Sequence, residues 1–329
     1  MTTAAAIPQT RGELEGDEAI ETLREAGRVR LAVDAFIRFR AADGFSHARA
    51  LAFQVTLTLL PAIIAVVGLA NAIGQEELSR VVRDTIRAFA PGAVGEILTD
   101  ALRQGNSAAE SERGEAALTG GLVAAVIAGT SAMAQVERGA NRIYGVERDR
   151  PLVRRYGTAL ILALTSGVLA VLSLIVLVGG AAIRDAIGDA STVNTVWRVA
   201  RWPLGVALAV AAVALLFELA PRRKQPEASW LAFGAGASVV LWLAFMALLK
   251  LYVEAASGFG ATYGPIAGTI GVLLWAFLTS IALFVGLALA AQLEAVRAGV
   301  PEPRIDRESN DAPAPASAVA GDGEGSDRP

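Results

Sequence analysis

The chain has 329 residues, of which 54% are hydrophobic and 19% charged, with mean hydropathy +0.49. Soluble domains carry roughly a quarter charged residues, so this balance points to a polypeptide that lives in hydrocarbon. The absence of cysteine and a single histidine, His47, exclude disulfides, thiolate catalysis and Cys- or His-built metal sites, and a net charge of −3 gives no reason to expect a cofactor or a nucleic-acid partner.

Residues 1–30 are polar, hold no apolar stretch of signal-peptide type and are expected to be flexible. Leu31 to Arg40 alternates bulky apolar residues with arginine and reads as an interfacial helix leading into the membrane domain, 31–295. Six apolar stretches are long enough for a hydrocarbon core of roughly 30 Å. They are 50–73, 116–134, 157–183, 202–220, 228–249 and 265–290. Only helices satisfy their own backbone in lipid, so the expected fold is all-α, with six transmembrane helices.

Between the first two spans, Leu78, Val81, Val82, Thr85, Ile86 and Phe89 recur at helical spacing, and Pro91-Gly92 breaks the run. Val94, Ile97, Leu98, Ala101 and Leu102 resume it, so 76–104 reads as an amphipathic helical hairpin. Ahead of the sixth span, Ala256 to Pro265 is rich in glycine and reads as a loop or re-entrant segment. Beyond 296 the chain is mainly Pro, Gly, Ser, Asp and Ala and is expected to be a disordered cytoplasmic tail. Of the 29 basic residues, 20 fall on the side of the termini and nine on the other. The positive-inside rule therefore puts both termini in the cytoplasm and the hairpin, with its acidic loop, outside.

Several polar or small residues have both a functional and a packing reading. Gln54, Thr56, Thr58 and Pro61 inside the first span either line a substrate path with a hinge, or hydrogen-bond between helices around a packed kink. Tyr263, Gly264 and Gly268 at the entry of the sixth span form either a gate or a close helix approach; Gly121, Ala125 and Gly129 have the same spacing in the second. Asn141, Arg142, Arg150, Arg154 and Arg155 form a cytoplasmic cluster, with Arg222 and Arg223 in the next inner loop. They either contact anionic lipid headgroups or serve as a topology signal. Glu218 sits next to that second basic run and is expected to pair with it. A homo-oligomer is compatible with all of this.

Four stretches resemble the YihY/BrkB-like membrane proteins, formerly labelled ribonuclease BN. They are FSHARALAFQVTLTLLP (Phe45 to Pro61), AQVERGANRIYGVERDRP (Ala134 to Pro151), LLFELAPRRK (Leu215 to Lys224) and ATYGPIAGTIGVLLWAFLTSIALFVG (Ala261 to Gly286). The resemblance implies a six-helix inner-membrane protein with a periplasmic-side hairpin. The chain departs from the family pattern at Gly286 to Gln292, where the family shows Gly-Ala-Glu-Leu-Asn-Ala-Glu and two acids and an amide are missing. Hydrolytic nucleases need clustered metal ligands or an acid/base pair. None stands out here, so the expectation is a non-enzymatic protein that moves a lipid, an envelope precursor or a small solute. An envelope scaffold is the alternative, and a membrane ribonuclease comes last.

Overall fold

The computed structural model describes residues 2–10, 14, 16–72, 100, 103, 107, 114–178, 191–255 and 265–306. The expected hairpin 76–104, apart from Asp100 and Arg103, lies outside the described residues, as do Tyr263, Gly264 and the tail beyond 306. In chain order the elements are β1 (Thr2–Ala4), α1 (Gly16–Ala26), α2 (Arg28–Ala41), α3 (Gly44–Ala72), α4 (Gly114–Ile143) and α5 (Leu152–Val178). They continue with α6 (Ser191–Leu219), α7 (Ala228–Ala255), α8 (Pro265–Arg297) and β2 (Arg304–Asp306).

Helices α4 to α8 each hold a stretch long and apolar enough to cross a membrane: Thr119–Ile143, Leu152–Ser173, Val199–Leu219, Ala228–Tyr252 and Gly268–Arg297. Their outer faces expose Val123, Ile127, Ile161, Leu164, Leu204 and Val240, among others. So large an apolar surface is costly in water and free of cost in lipid. The remaining expected span, 50–73, falls on α3, a 29-residue helix that runs through Pro61 without a break.

Each of α3 to α8 packs against its neighbours in the chain, and α8 returns to α3, so six helices close a ring in sequence order. Across it, α8 also reaches α4. No hydrophobic force holds helices together in lipid, so the seams rely on small residues and hydroxyl bonds. Between α5 and α6, Ser166 Oγ donates to the Ala212 carbonyl and Ser173 Oγ to that of Gly205, both at 2.7 Å. Between α7 and α8, Trp242 Nε1 donates to Thr279 Oγ1 at 3.2 Å. There Gly234 and Gly286 bring the two backbones together: a Cβ on Gly286 would run into Ser238 Oγ and lie 2.5 Å from the Gly234 carbonyl oxygen.

The two ends of the chain depart from expectation. Residues 16–26 form α1, whose Asp17 and Glu18 suit its positive N-terminal pole. Helix α1 packs on α7 and α8 and is tied to the end of α8 by Arg297 Nη2 to Glu18 Oε1 at 2.9 Å. Residues 298–306, expected to begin a disordered tail, are ordered. Helix α8 stops at Gly299 (φ +74), where the Gly299 N–H returns to the Val296 carbonyl and the Val300 N–H to that of Ala295, the glycine-dependent Schellman turn. The chain then doubles back to pair β2 antiparallel with β1, Thr3 opposite Ile305. Low hydrophobicity misleads here because the segment's order comes from backbone pairing, to which composition is blind.

Gly286→Ala should cost about 1–3 kcal/mol by overpacking the α7–α8 seam. Thermal unfolding in detergent checks it. Adding Ser238→Ala should not restore the loss, because the Gly234 carbonyl remains in the way.

Candidate functional site

At the end of the ring that gathers β1, β2, α1, α2 and the α4–α5 and α6–α7 loops, charged side chains are buried in number. Helices α4 and α8 both run past their apolar spans, 116–134 and 265–290, and the extra turns carry Glu137, Asn141, Gln292 and Glu294, each fully buried. Buried charge is tolerable only when it is paired and hydrogen-bonded.

One group of residues brackets the two loops. Asn141 Nδ2 donates to Asp149 Oδ1 at 2.9 Å, while its Oδ1 accepts the Arg222 backbone N–H at 2.7 Å. Arg150 donates to the carbonyls of Leu219, Ala220 and Pro221 at 3.2, 2.7 and 2.9 Å. Those are the orphan acceptors at the end of α6, where a cation also suits the negative pole. Its other contact is Glu137, at 3.2 Å. Arg155 pairs with Asp149 at 2.9 Å, and Arg222 Nη1 reaches the carbonyls of Arg148 and Asp149. Helix α4 ends in the same glycine turn as α8: Gly145 (φ +68) donates to the Arg142 carbonyl and Val146 to that of Asn141.

A second group joins the N-terminal segment to α8. Glu294 Oε1 accepts from Arg223 Nη2 at 2.5 Å and from Thr10 Oγ1 at 2.8 Å. Arg223 Nη2 also donates to the Pro8 carbonyl at 3.1 Å, and its guanidinium lies 4.6 Å from the centroid of the Tyr144 ring. Burial foremost, and the Glu294 carboxylate next, hold the Tyr144 phenol well above its ordinary value. Tyr144 therefore stays protonated.

Arg38 of α2 anchors a third group and has no solvent exposure. Its Nε donates to Gln292 Oε1 at 2.7 Å, Nη1 to the Ala5 and Ile143 carbonyls at 2.7 and 3.2 Å, and Nη2 to the Glu302 carbonyl at 3.4 Å. Desolvation is the main cause that brings the guanidinium down to about 10, which still leaves it charged at neutral pH.

The structure thus unites Asn141, Arg150, Arg155 and Arg222 in one bracket and places Arg223 in the adjoining group. Arg142 and Arg154 remain exposed. Glu218 is exposed too and makes no ion pair among the described residues, because Arg222 and Arg223 are committed elsewhere. Thr56 and Thr58 bond their own helix, at the carbonyls of Ala52 and Gln54, so neither hydroxyl crosses to a neighbour. Gln54, Thr58 and Pro61 are half-buried, and Gly268 is buried in α8. A Cβ on Gly129 of α4 would meet the Thr58 methyl at an ordinary 3.9 Å, so that glycine is not required by a close approach there.

Arg38, Glu137, Gln292, Glu294 and Thr10 were not singled out by sequence. Arg38 falls on the stripe Leu31, Ala35, Arg38 and Phe39, which is the buried face of α2; its spacing is helical, so the signal was there. Gln292 and Glu294 close the very stretch whose family acids and amide are missing, and they restore polar groups to that helix end.

Asn141→Ala should cost about 1–3 kcal/mol, since it leaves partners in both loops unpaired. Arg154→Ala should leave the unfolding midpoint unchanged. His47, at the start of α3 and 3.1 Å from Gln135 Nε2, is held below its ordinary 6.5, chiefly by burial. The unfolded imidazole then takes up a proton that the folded one refuses, so stability falls as pH drops through 6.5 toward the folded value. His47→Gln should remove that part of the slope in denaturation measured between neutral and mildly acidic pH.

A family model described as Virulence factor BrkB matches residues 35–312. The chain is also 24% identical over 264 residues to the Bacillus subtilis (strain 168) protein called "Putative ribonuclease-like protein YfkH", covering 78% of this chain and 93% of that one. No solved structure matches. With its apolar helices and a match over most of its length, the chain is a multi-pass membrane protein that belongs to the BrkB family.

Proposed function

We propose that this chain is a six-span protein of the cytoplasmic membrane, with both termini cytoplasmic, that binds and moves an anionic amphiphile or small solute without catalysis. Helix α3 is the sixth span: 29 residues long, it sits in the ring between α4 and α8. The termini and basic loops gather at one end, which is the arrangement that positive-inside insertion favours for the inner face. The exposed face of α2, with Arg28, Val29, Arg30, Val33, Phe36 and Arg40, suits a helix lying at that interface.

One observation carries the functional reading. Among the described residues, the ring's inner end combines a buried guanidinium bonded to no carboxylate, Arg38, with exposed arginines at the rim, Arg142 and Arg154. Arginine presents a planar fork to phosphate oxygens, and inner-leaflet headgroups supply them. The name of the Bacillus relative raises hydrolysis of RNA as a second reading. Against it, Glu137, Asp149 and Glu294 each face an arginine, at 3.2, 2.9 and 2.5 Å, which favours a structural carboxylate over a general base.

Purified protein reconstituted into liposomes with labelled anionic lipids and phosphorylated solutes should move at least one of them faster than empty vesicles. No movement across a broad panel would overturn the proposal. RNA cleavage that Glu137→Gln and Glu294→Gln both abolish would replace it with the second reading.

A further inference from the structure

Arg38 is a cation out of water whose described partners are all neutral: one amide oxygen and three backbone carbonyls. The partly buried arginines nearby differ, since Arg150, Arg155 and Arg223 each face a carboxylate. Two of the carbonyls on Arg38, those of Ala5 and Glu302, come from terminal segments rather than from the ring. Residues 2–10 form a strap laid beneath it. Ala5 N–H donates to the Pro303 carbonyl, Ile7 N–H to that of Tyr144, and Thr10 to Glu294. Its only ladder is the three-residue β1–β2 pair, and a two-stranded ladder of that size is marginal by itself.

The cradle is cut to fit the strap. Gly145 has φ +68, and a Cβ there would lie 2.6 Å from Ala6 Cα. Beside the strap lies a cavity of about 590 Å³, lined by Ala4, Ala6, Asp43, His47, Arg142 and Glu147, among others. Ala4 and Ala6 thus face the cavity while the carbonyl of Ala5, between them, is spent on Arg38. The strap thus touches both the pocket, through Ala4 and Ala6, and the buried guanidinium, through the Ala5 carbonyl. The pocket also holds two acids: Asp43 Oδ1 accepts from Ser46 Oγ at 2.9 Å, and Glu147 is exposed, where water and salt screen its charge.

We propose that Arg38 is the centre of an anion site for a phosphate monoester or diester, and that the strap 2–10 is a displaceable plug whose Ala5 carbonyl stands in for a phosphate oxygen. Withdrawing it takes the Ala5 carbonyl off Nη1, which keeps only the Ile143 carbonyl, and opens that side of Arg38 to an incoming oxygen. A protein whose competent form is a minor population binds with an apparent affinity lowered by that fraction, so releasing the strap raises affinity and fixing it abolishes binding. This deepens the function proposed above by naming the ligand class, yet it is read from binding alone. Binding without movement would sink that reading and leave this one standing.

The chain has no cysteine, so Thr3→Cys with Ile305→Cys, a directly opposed pair, introduces its only thiols. Oxidised, the pair staples the strap to the segment fixed by the Gly299 turn; reduced, it releases it. The full chain would be placed in phosphatidylcholine nanodiscs and titrated with inorganic phosphate by calorimetry. A parallel sample in nanodiscs containing phosphatidylglycerol would be read by retention of labelled lipid. In at least one arm the reduced form should bind about tenfold or more tighter than the oxidised form. Gly145→Ala, which pushes the strap off, should match or exceed the reduced form, and Arg38→Gln should remove the gain. A response to phosphate alone assigns a free solute, and one to phosphatidylglycerol alone a headgroup. Equal binding by oxidised and reduced protein, no binding in either arm, or Gly145→Ala binding no better than the unsubstituted chain would overturn the proposal. Gly145→Ala keeps the test decisive if Arg38→Gln does not fold.

Discussion

Everything at the charged end of this helix ring depends on compensating charge that has been taken out of water. Glu137, Glu294 and Arg38 have no exposure, and Arg223 has almost none. Each would cost several kcal/mol if left alone in a low-dielectric surrounding. The fold meets that demand by bringing distant parts of the chain to the same place. Arg150 reaches Glu137 and the end of α6, Arg223 reaches Glu294, and Arg38 collects acceptors from the N-terminus, α4, α8 and the segment after α8. The hydrocarbon-facing ring supplies the scaffold; the ion pairs and guanidinium bonds fix how its charged end is closed.

This division of labour follows from the two solvents the chain meets. Within the bilayer, small residues and serine hydroxyls hold the α5–α6 and α7–α8 seams, because lipid offers apolar side chains no reason to leave it. At the charged end, beyond the apolar spans, aromatic burial resumes. Phe39, Tyr144, Phe217, Trp230 and Phe284 are all fully buried there, and Phe39 meets Phe45 edge-on at 4.9 Å between centroids. Of the charged pairs, Arg223–Glu294 is the one closed off from water, and its guanidinium lies over the Tyr144 ring.

The apolar helices were legible because an uninterrupted run of such residues has few alternatives to a span. The basic loops were legible as a group, but not their separate duties: Arg150, Arg154 and Arg155 look alike in sequence and end as a helix cap, an exposed side chain and an ion pair. Asn141 stood out because topology gives an amide no reason to be there, and it proves to hold both inner loops. The partners that complete these contacts were harder to find. Glu137 and Glu294 sit one or two turns beyond apolar spans, where an acid reads as an ordinary helix end. The β1–β2 pair joins opposite ends of the chain through segments with no strand signature, so no local pattern could reveal it. Arg38 is the exception; its place on the Leu31–Ala35–Phe39 face was visible from spacing alone.

The cap that Arg150 places on α6 has a consequence for biogenesis. Its acceptors, residues 219–221, are separated from it by the whole α5–α6 hairpin. The bond can close only after both helices have been threaded through the bilayer and the polypeptide has come back to the side it left. Until then the guanidinium and the last carbonyls of α6 stay hydrated, and a hairpin inserted in the wrong register finds no latch. A single arginine thus acts as a checkpoint on topogenesis, rewarding only the finished return crossing.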